Sequence, residues 1–228
     1  YISDGGVQEE ISQGGARIAA TLGLDNLIMF YDSNDIQLST ETKEVMTEDT
    51  GAKYRALGWE VIEICGNDAA QIREAIEKAQ KVEGKPTLII GKCIMGKGAL
   101  KADCSSYEAN CKTHGAPLGG DAYINTIKNL GGDPENPFQI FDDVKELYAN
   151  RAKELESICA ERYAEEKAWA DANPEKAAAQ AEWFSGKAPK IDWSKCVQKD
   201  NDATRSASAA CLSVLAEQVP NMICASAD

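Results

Sequence analysis

The sequence predicts an α/β fold: a parallel sheet interleaved with helices, followed by further helices, a linker and the start of a second α/β domain. Three observations carry this. Short apolar runs alternate with segments of helical period through residue 95, the pattern of a sheet whose parallel strands are joined by crossover helices. The run Leu27-Ile28-Met29-Phe30-Tyr31 is apolar without alternation, as suits a strand covered on both faces. A polar stretch at 185–201, containing Gly186 and Pro189, then separates this region from a last helix and an apolar terminus.

Taken in order, Tyr1-Ile2 reads as the end of a buried strand and Asp4-Gly5-Gly6 as the tight turn after it. A helix is expected over 7–24, with Ile11, Ile18, Ala19 and Leu22 on its buried face and Gly14 and Gly15 permitting close approach to the sheet. The strand at 27–31 delivers Asn34 beyond its carboxyl end. After a polar loop at 37–46, Thr47-Glu48-Asp49 opens a helix that reaches Leu57 and stops at Gly58. A strand over 59–64 leads to Asn67-Asp68, a cap for a helix with Ile72, Ala75, Ile76, Ala79 and Val82 on one face. Gly84-Lys85-Pro86 ends that helix, and another strand begins at Thr87. Periodicity lapses over 96–120, a loop length that is usually functional or disordered.

Helices resume at 121–130 and at 142–172, where Val144, Leu147, Tyr148, Leu155, Ile158 and Tyr163 make an amphipathic stripe expected to lie against the domain. After Asn173-Pro174 a further helix runs toward Phe184. Beyond the linker, Thr204 opens a helix with Ala207, Ala210, Cys211, Val214 and Leu215 inward, and 222–228 reads as a strand. A start inside a strand without Met, and a closing strand without its connection, make the chain read as a piece of a longer protein.

Composition narrows the function classes. A formal charge of -13 argues against general nucleic-acid binding, which needs cationic patches to neutralise phosphates. No apolar run approaches the roughly 20 residues that span a bilayer, so no membrane partner is expected and the chain reads as soluble and cytoplasmic. The eight cysteines are scattered with no CxxC pair, and are expected to be buried free thiols rather than zinc ligands or bridges. His114 is the single histidine, which excludes a multi-histidine zinc site.

The chemistry concentrates near the start. Asp4 follows one strand and Asn34 follows the next, a strand-helix-strand repeat apart, so a right-handed parallel connection puts both at one edge of the sheet. A carboxylate and an amide oxygen at such an edge suit a hard cation such as Mg²⁺, which takes few protein ligands and leaves places for water and phosphate oxygens. The neighbouring helix start favours the anion that such a cation would carry.

Asp4-Gly5-Gly6-Val7-Gln8-Glu9, Leu24-Asp25-Asn26-Leu27-Ile28 and Tyr31-Asp32-Ser33-Asn34-Asp35-Ile36 together resemble the transketolase family, whose thiamine diphosphate signature joins Gly-Asp-Gly to an Asn about thirty residues on. The resemblance extends over essentially the whole chain, including Thr113-His114-Gly115-Ala116-Pro117. It implies the thiamine diphosphate-binding fold, here incomplete: the carboxyl-terminal part of a diphosphate-binding domain with a helical extension at 1–184, a linker at 185–201, and the start of a pyrimidine-binding domain at 202–228. It implies thiamine diphosphate and Mg²⁺, or Ca²⁺, as cofactors. Asp4, Asn34 and the Ile36 carbonyl would be the metal ligands, and Gly5 would let the diphosphate approach the main chain.

By the same resemblance His114 would touch the diphosphate and the substrate, and is the one catalytic candidate, while Arg205 would grip a sugar phosphate. Glu9 stands where the family has an acid near the cofactor and dimer interface. Two departures are visible: Ser3 replaces the family's first glycine, and Gly14 replaces a second glutamate. The activity implied for the full enzyme, a homodimer, is transfer of a two-carbon ketol unit from a ketose phosphate to an aldose phosphate in the pentose phosphate pathway. This chain by itself is expected to be inactive. The alternatives are a related thiamine enzyme, a dihydroxyacetone or deoxyxylulose phosphate synthase, or a non-catalytic subunit of a split enzyme.

Overall fold

The four apolar runs of the first half pair side by side, all parallel, in the computed structural model, which describes residues 1–225. They are β1 (Ile2–Ser3), β2 (Ile28–Ser33), β3 (Glu60–Cys65) and β4 (Thr87–Lys92), in the spatial order β1-β2-β4-β3. Alternation along the strands feeds two cores. Met29, Tyr31, Val61 and Leu88 face one side with Val7, Ala16, Ala19, Tyr54 and Trp59, whereas Ile28, Phe30, Ile62, Ile64 and Ile89 face the other with Ala75 and Ala79. Both faces of the sheet are therefore covered, as the apolar strands required.

The helices show why local sequence decides where each begins and ends. The expected turn at Asp4-Gly5-Gly6 is instead a short helix, α1 (Asp4–Gln8), because the Ser3 hydroxyl accepts from the Gly6 N–H and caps it. Glu9 is extended, with ψ 133°, and breaks the expected single helix into α1 and α2 (Glu10–Thr21). The carbonyls freed by the break are met by side chains, Ser12 Oγ donating to the Gly6 carbonyl and Gln13 Nε2 to that of Val7. Gly23, at φ 62°, stops α2 short of residue 24.

The buried face of α2 also differs from expectation. Ala16 and Ala19 are buried, while Ile11, Ile18 and Leu22 are more than half exposed. Small residues allow the helix to sit low enough for Trp59 Nε1 to donate to the Ala16 carbonyl at 2.9 Å. A Cβ added at Gly14 or Gly15 would meet nothing within 4 Å, so neither glycine is explained by close approach to the sheet.

Asp49 caps α3 (Thr50–Leu57), and Gly58 ends it at φ 98°. Asp68 caps α4 (Ala69–Ala79), accepting from the Ala70 and Gln71 N–H groups. The long loop after β4 is ordered by its own tethers: Leu100 N donates to Thr126 Oγ1, and Asn129 Nδ2 to the Gly98 carbonyl, both on α5 (Gly120–Asn129).

The chain divides into two compact units, Tyr1–Gln139 and Ile140–Asp228. The second contains α6 (Asp142–Ala172), α7 (Pro174–Trp183) and α8 (Thr204–Gln218). Asp142–Ala172 matches the expected long helix, but none of its residues is buried. Its Leu147, Tyr148, Leu155 and Ile158 stand exposed. On α8, Val214 is buried and Ala207, Ala210, Cys211 and Leu215 are half-buried, as the spacing predicted. Met222–Ala225 is not strand; the rest of that expected strand, Ser226, Ala227 and Asp228, lies outside the described residues.

The cysteines are free but not buried: Cys65, Cys104, Cys159 and Cys224 are exposed and the other four half-exposed. Strand and helix ends account for much of this, since Cys65 closes β3 and Cys93 immediately follows β4. Among the described residues no helix is long and apolar enough to cross a membrane.

Candidate functional site

The carboxyl end of a strand inside a parallel sheet leaves backbone groups and side chains facing a crevice rather than another strand. Here β1 ends at Ser3 and β2 at Ser33, with Ile2 opposite Tyr31 and Ser3 opposite Asp32. The residues just past these ends are Asp4 and Asn34, and the structure joins them directly. The Asn34 N–H donates to Asp4 Oδ2 at 3.0 Å, and the Tyr31 hydroxyl donates to Asp4 Oδ1 at 2.7 Å. Asp4 is 2% exposed, so its carboxylate is held by these two donors rather than by water.

The segment after Asn34 is shaped by one residue. Asp35 takes the left-handed conformation, φ 65°, which Asp tolerates better than most side chains. The turn brings the Ile36 N–H to Asn34 Oδ1 at 3.0 Å, while Asn34 Nδ2 donates to Asp32 Oδ1 at 3.3 Å. These bonds orient the amide and leave its oxygen a free lone pair. Ile36 is 5% exposed, and among the described residues no hydrogen-bond donor reaches its carbonyl.

Burial, followed by the bond to Asp4, holds the Tyr31 phenol far above the usual tyrosine range, so it remains a donor. Two further groups stay protonated around Asp32. Its hydrogen bond and then burial push the Tyr1 phenol up to about 12, and burial pushes the Cys93 thiol up to about 11.

An open cavity of ≈ 710 Å³ lies at the carboxyl ends of β2, β3 and β4, with Asp4, Ser33, Cys65 and Lys92 in its wall. Its lining carries five carboxylates, Asp4, Asp35, Glu48, Asp49 and Glu63, against the ammonium groups of Lys43 and Lys92. Such a wall attracts cations and accepts a phosphate only with a cation in between. Asp4, the Asn34 amide oxygen and the Ile36 carbonyl are hard oxygen donors with unused lone pairs, so the residues present fit a hard divalent cation. Gly5 follows on α1 with nothing within 4 Å of where a Cβ would stand, which leaves its main chain open to a ligand.

The other expected site residues lie on other elements. His114 is exposed, immediately after a 3-10 turn at Cys111–Thr113, on the loop that leaves the carboxyl end of β4. Arg205 is exposed in the first turn of α8, in the second unit. Among the described residues no hydrogen bond links either to Asp4, Asn34 or Ile36. Glu9 is the exposed residue at which α1 ends. Sequence reasoning missed Tyr31 and Asp32; the signal was a polar tip at the end of an otherwise apolar strand, where a hydroxyl must find a partner.

Comparison with known proteins places this geometry. Residues 1–189 match the family model described as transketolase, thiamine diphosphate binding domain. The chain is 34% identical to the chloroplastic transketolase-1 of Arabidopsis thaliana, over 100% of this chain and 31% of that protein. It is also 34% identical to transketolase 2 of Escherichia coli (strain K12), over 100% of this chain and 34% of that one. Among solved structures, transketolase from Leishmania mexicana superposes with a TM-score of 0.80 at 31% identity, covering 96% of this chain and 32% of its own. A Pichia stipitis transketolase in complex with sedoheptulose 7-phosphate gives the same TM-score, identity and coverages. The chain thus spans about a third of the length of these relatives. Together with the parallel sheet and its Asp4–Asn34 edge, the match shows that the chain belongs to the transketolase family.

Proposed function

We propose that Asp4, Asn34 and the Ile36 carbonyl hold Mg²⁺, or Ca²⁺ in its place, and through it the diphosphate of thiamine diphosphate, with Gly5 beside the diphosphate. The observation that carries this is the buried Asp4 carboxylate, fixed on both oxygens by donors from β2 and the turn after it. When bound, thiamine diphosphate supplies the carbon nucleophile and electron sink for ketol transfer. The chain's own residues bind and orient. Asp4 offers charge, Tyr31 keeps its proton and so keeps Asp4 in place, and Asp32 fixes which end of the Asn34 amide faces inward.

In the complete protein this site serves transfer of a two-carbon ketol unit from a ketose phosphate to an aldose phosphate, a step of the pentose phosphate pathway. His114 contacts diphosphate and substrate there, and Arg205 a sugar phosphate; the sugar-phosphate complex of the Pichia stipitis relative supports that substrate class. The names of the relatives favour this reading over a dihydroxyacetone or deoxyxylulose phosphate synthase and over a non-catalytic subunit. Residues 1–184 are the diphosphate-binding part, 185–201 the linker and 202–228 the start of the pyrimidine-binding domain. A homodimer completes the site, the location is cytoplasmic, and this chain by itself is inactive.

Calorimetry with Mg²⁺ and thiamine diphosphate tests the site. Asp4→Ala in the complete protein is expected to weaken cofactor binding by at least about 100-fold, more than loss of a residue that only orients a ligand. Equal affinity in Asp4→Ala and the wild type would remove the metal role from Asp4.

A further inference from the structure

The stretch 190–198 does not run free. It lies along α8 in the opposite direction, held at three places on that helix. Asp192 N donates to Gln218 Oε1 at 2.8 Å while Gln218 Nε2 donates back to the Asp192 carbonyl at 3.3 Å. Cys196 Sγ meets Cys211 Sγ at 3.6 Å, and Gln198 Nε2 donates to the Ala207 carbonyl at 3.1 Å. Residues 207, 211 and 218 fall within about 40° of one another around a helix that turns by 3.6 residues, so all three contacts use one face.

The middle contact carries chemistry. The two sulfurs touch, and Gln198 Nε2 lies 3.2 Å from that of Cys196 and 3.4 Å from that of Cys211, donating to both. A donor aimed at two adjoining sulfurs stabilises whichever becomes a thiolate, the form that attacks disulfides. Cys196 is placed by a 3-10 turn, Trp193–Lys195, capped by Asp192, whose side chain accepts from the Ser194 N–H. Cys211 is placed by α8 itself. Both are half-exposed, within reach of a small oxidant. The contact between the thiols, then burial, holds Cys211 above the ordinary cysteine range.

We propose that Cys196 and Cys211 form a redox-active dithiol that closes to an intrachain disulfide and staples the 190–198 stretch to α8. The oxidant is a low-molecular-weight disulfide of the glutathione class. The Cys196 thiolate attacks one sulfur of the oxidised disulfide, forming a mixed disulfide and releasing one thiolate. The Cys211 sulfur, giving its proton to solvent, then attacks the Cys196 sulfur, forms the intrachain bond and releases the second thiolate. Two protein thiols are oxidised and one small disulfide is reduced to two thiols. The sulfurs must approach from 3.6 Å to about 2.05 Å.

The test is peptide mapping of the complete protein after equilibration in glutathione buffers from fully reduced to fully oxidised, with free thiols alkylated before digestion. The expected result is a linked pair of peptides containing Cys196 and Cys211, lighter than the two free peptides by two hydrogens, and reverting on reduction. Cys211→Ser is expected to trap glutathione on Cys196, and Cys196→Ser to trap it on Cys211, since each variant keeps one sulfur and loses the one that would resolve the mixed disulfide. The wild-type map stands independently of how well either variant folds. Finding both cysteines alkylated at the oxidising end, each carrying its own glutathione, or either one joined to a different cysteine would overturn the proposal.

Discussion

The two units use the same kind of helix to different effect. In the first, α2, α3 and α4 meet a sheet, and small or aromatic residues such as Ala16, Tyr54 and Ala79 vanish into it. In the second, α6 carries a weaker apolar stripe and has no buried residue; Val214 of α8 is the one buried apolar residue of that unit among the described residues. A stripe at helical spacing is therefore a statement about what could be buried. Whether it is depends on a surface to receive it, and a parallel sheet offers one on each face.

That contrast can be broken by measuring stability. The largest effect is expected at Trp59, 4% exposed, set edge-on to Tyr54 at 5.2 Å and hydrogen-bonded to α2. Trp59→Ala should cost about 3–5 kcal/mol in urea unfolding followed by circular dichroism, the range for emptying an aromatic site in a core. A loss under about 1 kcal/mol would mean that the first unit is not held together by its sheet-facing core.

A smaller effect separates local hydrogen bonding from burial. Asp68 is half-exposed, and its bonds to the Gln71 N–H, the Gln71 side chain and the Ala70 N–H hold its carboxyl below the usual aspartate range. A group whose folded value is depressed stabilises the fold above its unfolded value and stops doing so as the pH falls through the folded one. Asp68→Ala should accordingly lower the melting temperature at neutral pH, and the gap should close at strongly acid pH. A gap constant across pH would show that the charge of the cap does nothing.

The smallest effect is expected in α6. Leu155 is 43% exposed, and Leu155→Ala should change stability by no more than about 0.5 kcal/mol, as surface substitutions do. Repeating the measurement in the complete protein sharpens the comparison. A cost there near that of Trp59→Ala would show that α6 finds its surface outside this chain.

The sequence made much of this legible where one residue does one job. Asp68 as a cap, Gly58 as a stop and the parallel alternation needed only local chemistry. The break at Glu9 was not legible, because Glu is a good helix former and the compensation comes from Ser12 and Gln13 farther on. Ile11, Ile18 and Leu22 misled for the reason α6 did: periodicity marks a face without naming what covers it. At the site, the Asp4–Asn34 spacing was readable, since a parallel connection fixes which edge both must share. Tyr31, Asp32 and the left-handed Asp35 were not, because their roles come from bonds made across the turn rather than from spacing.

The donors to Asp4 come from Tyr31 on β2 and from Asn34 just past its end, so the carboxylate is braced by the scaffold without any ion. A bracket set in advance has little left to order when its guest arrives. The cation proposed for this site then exchanges water for carboxylate with no local unfolding, at a rhythm set by how fast it sheds its own hydration shell.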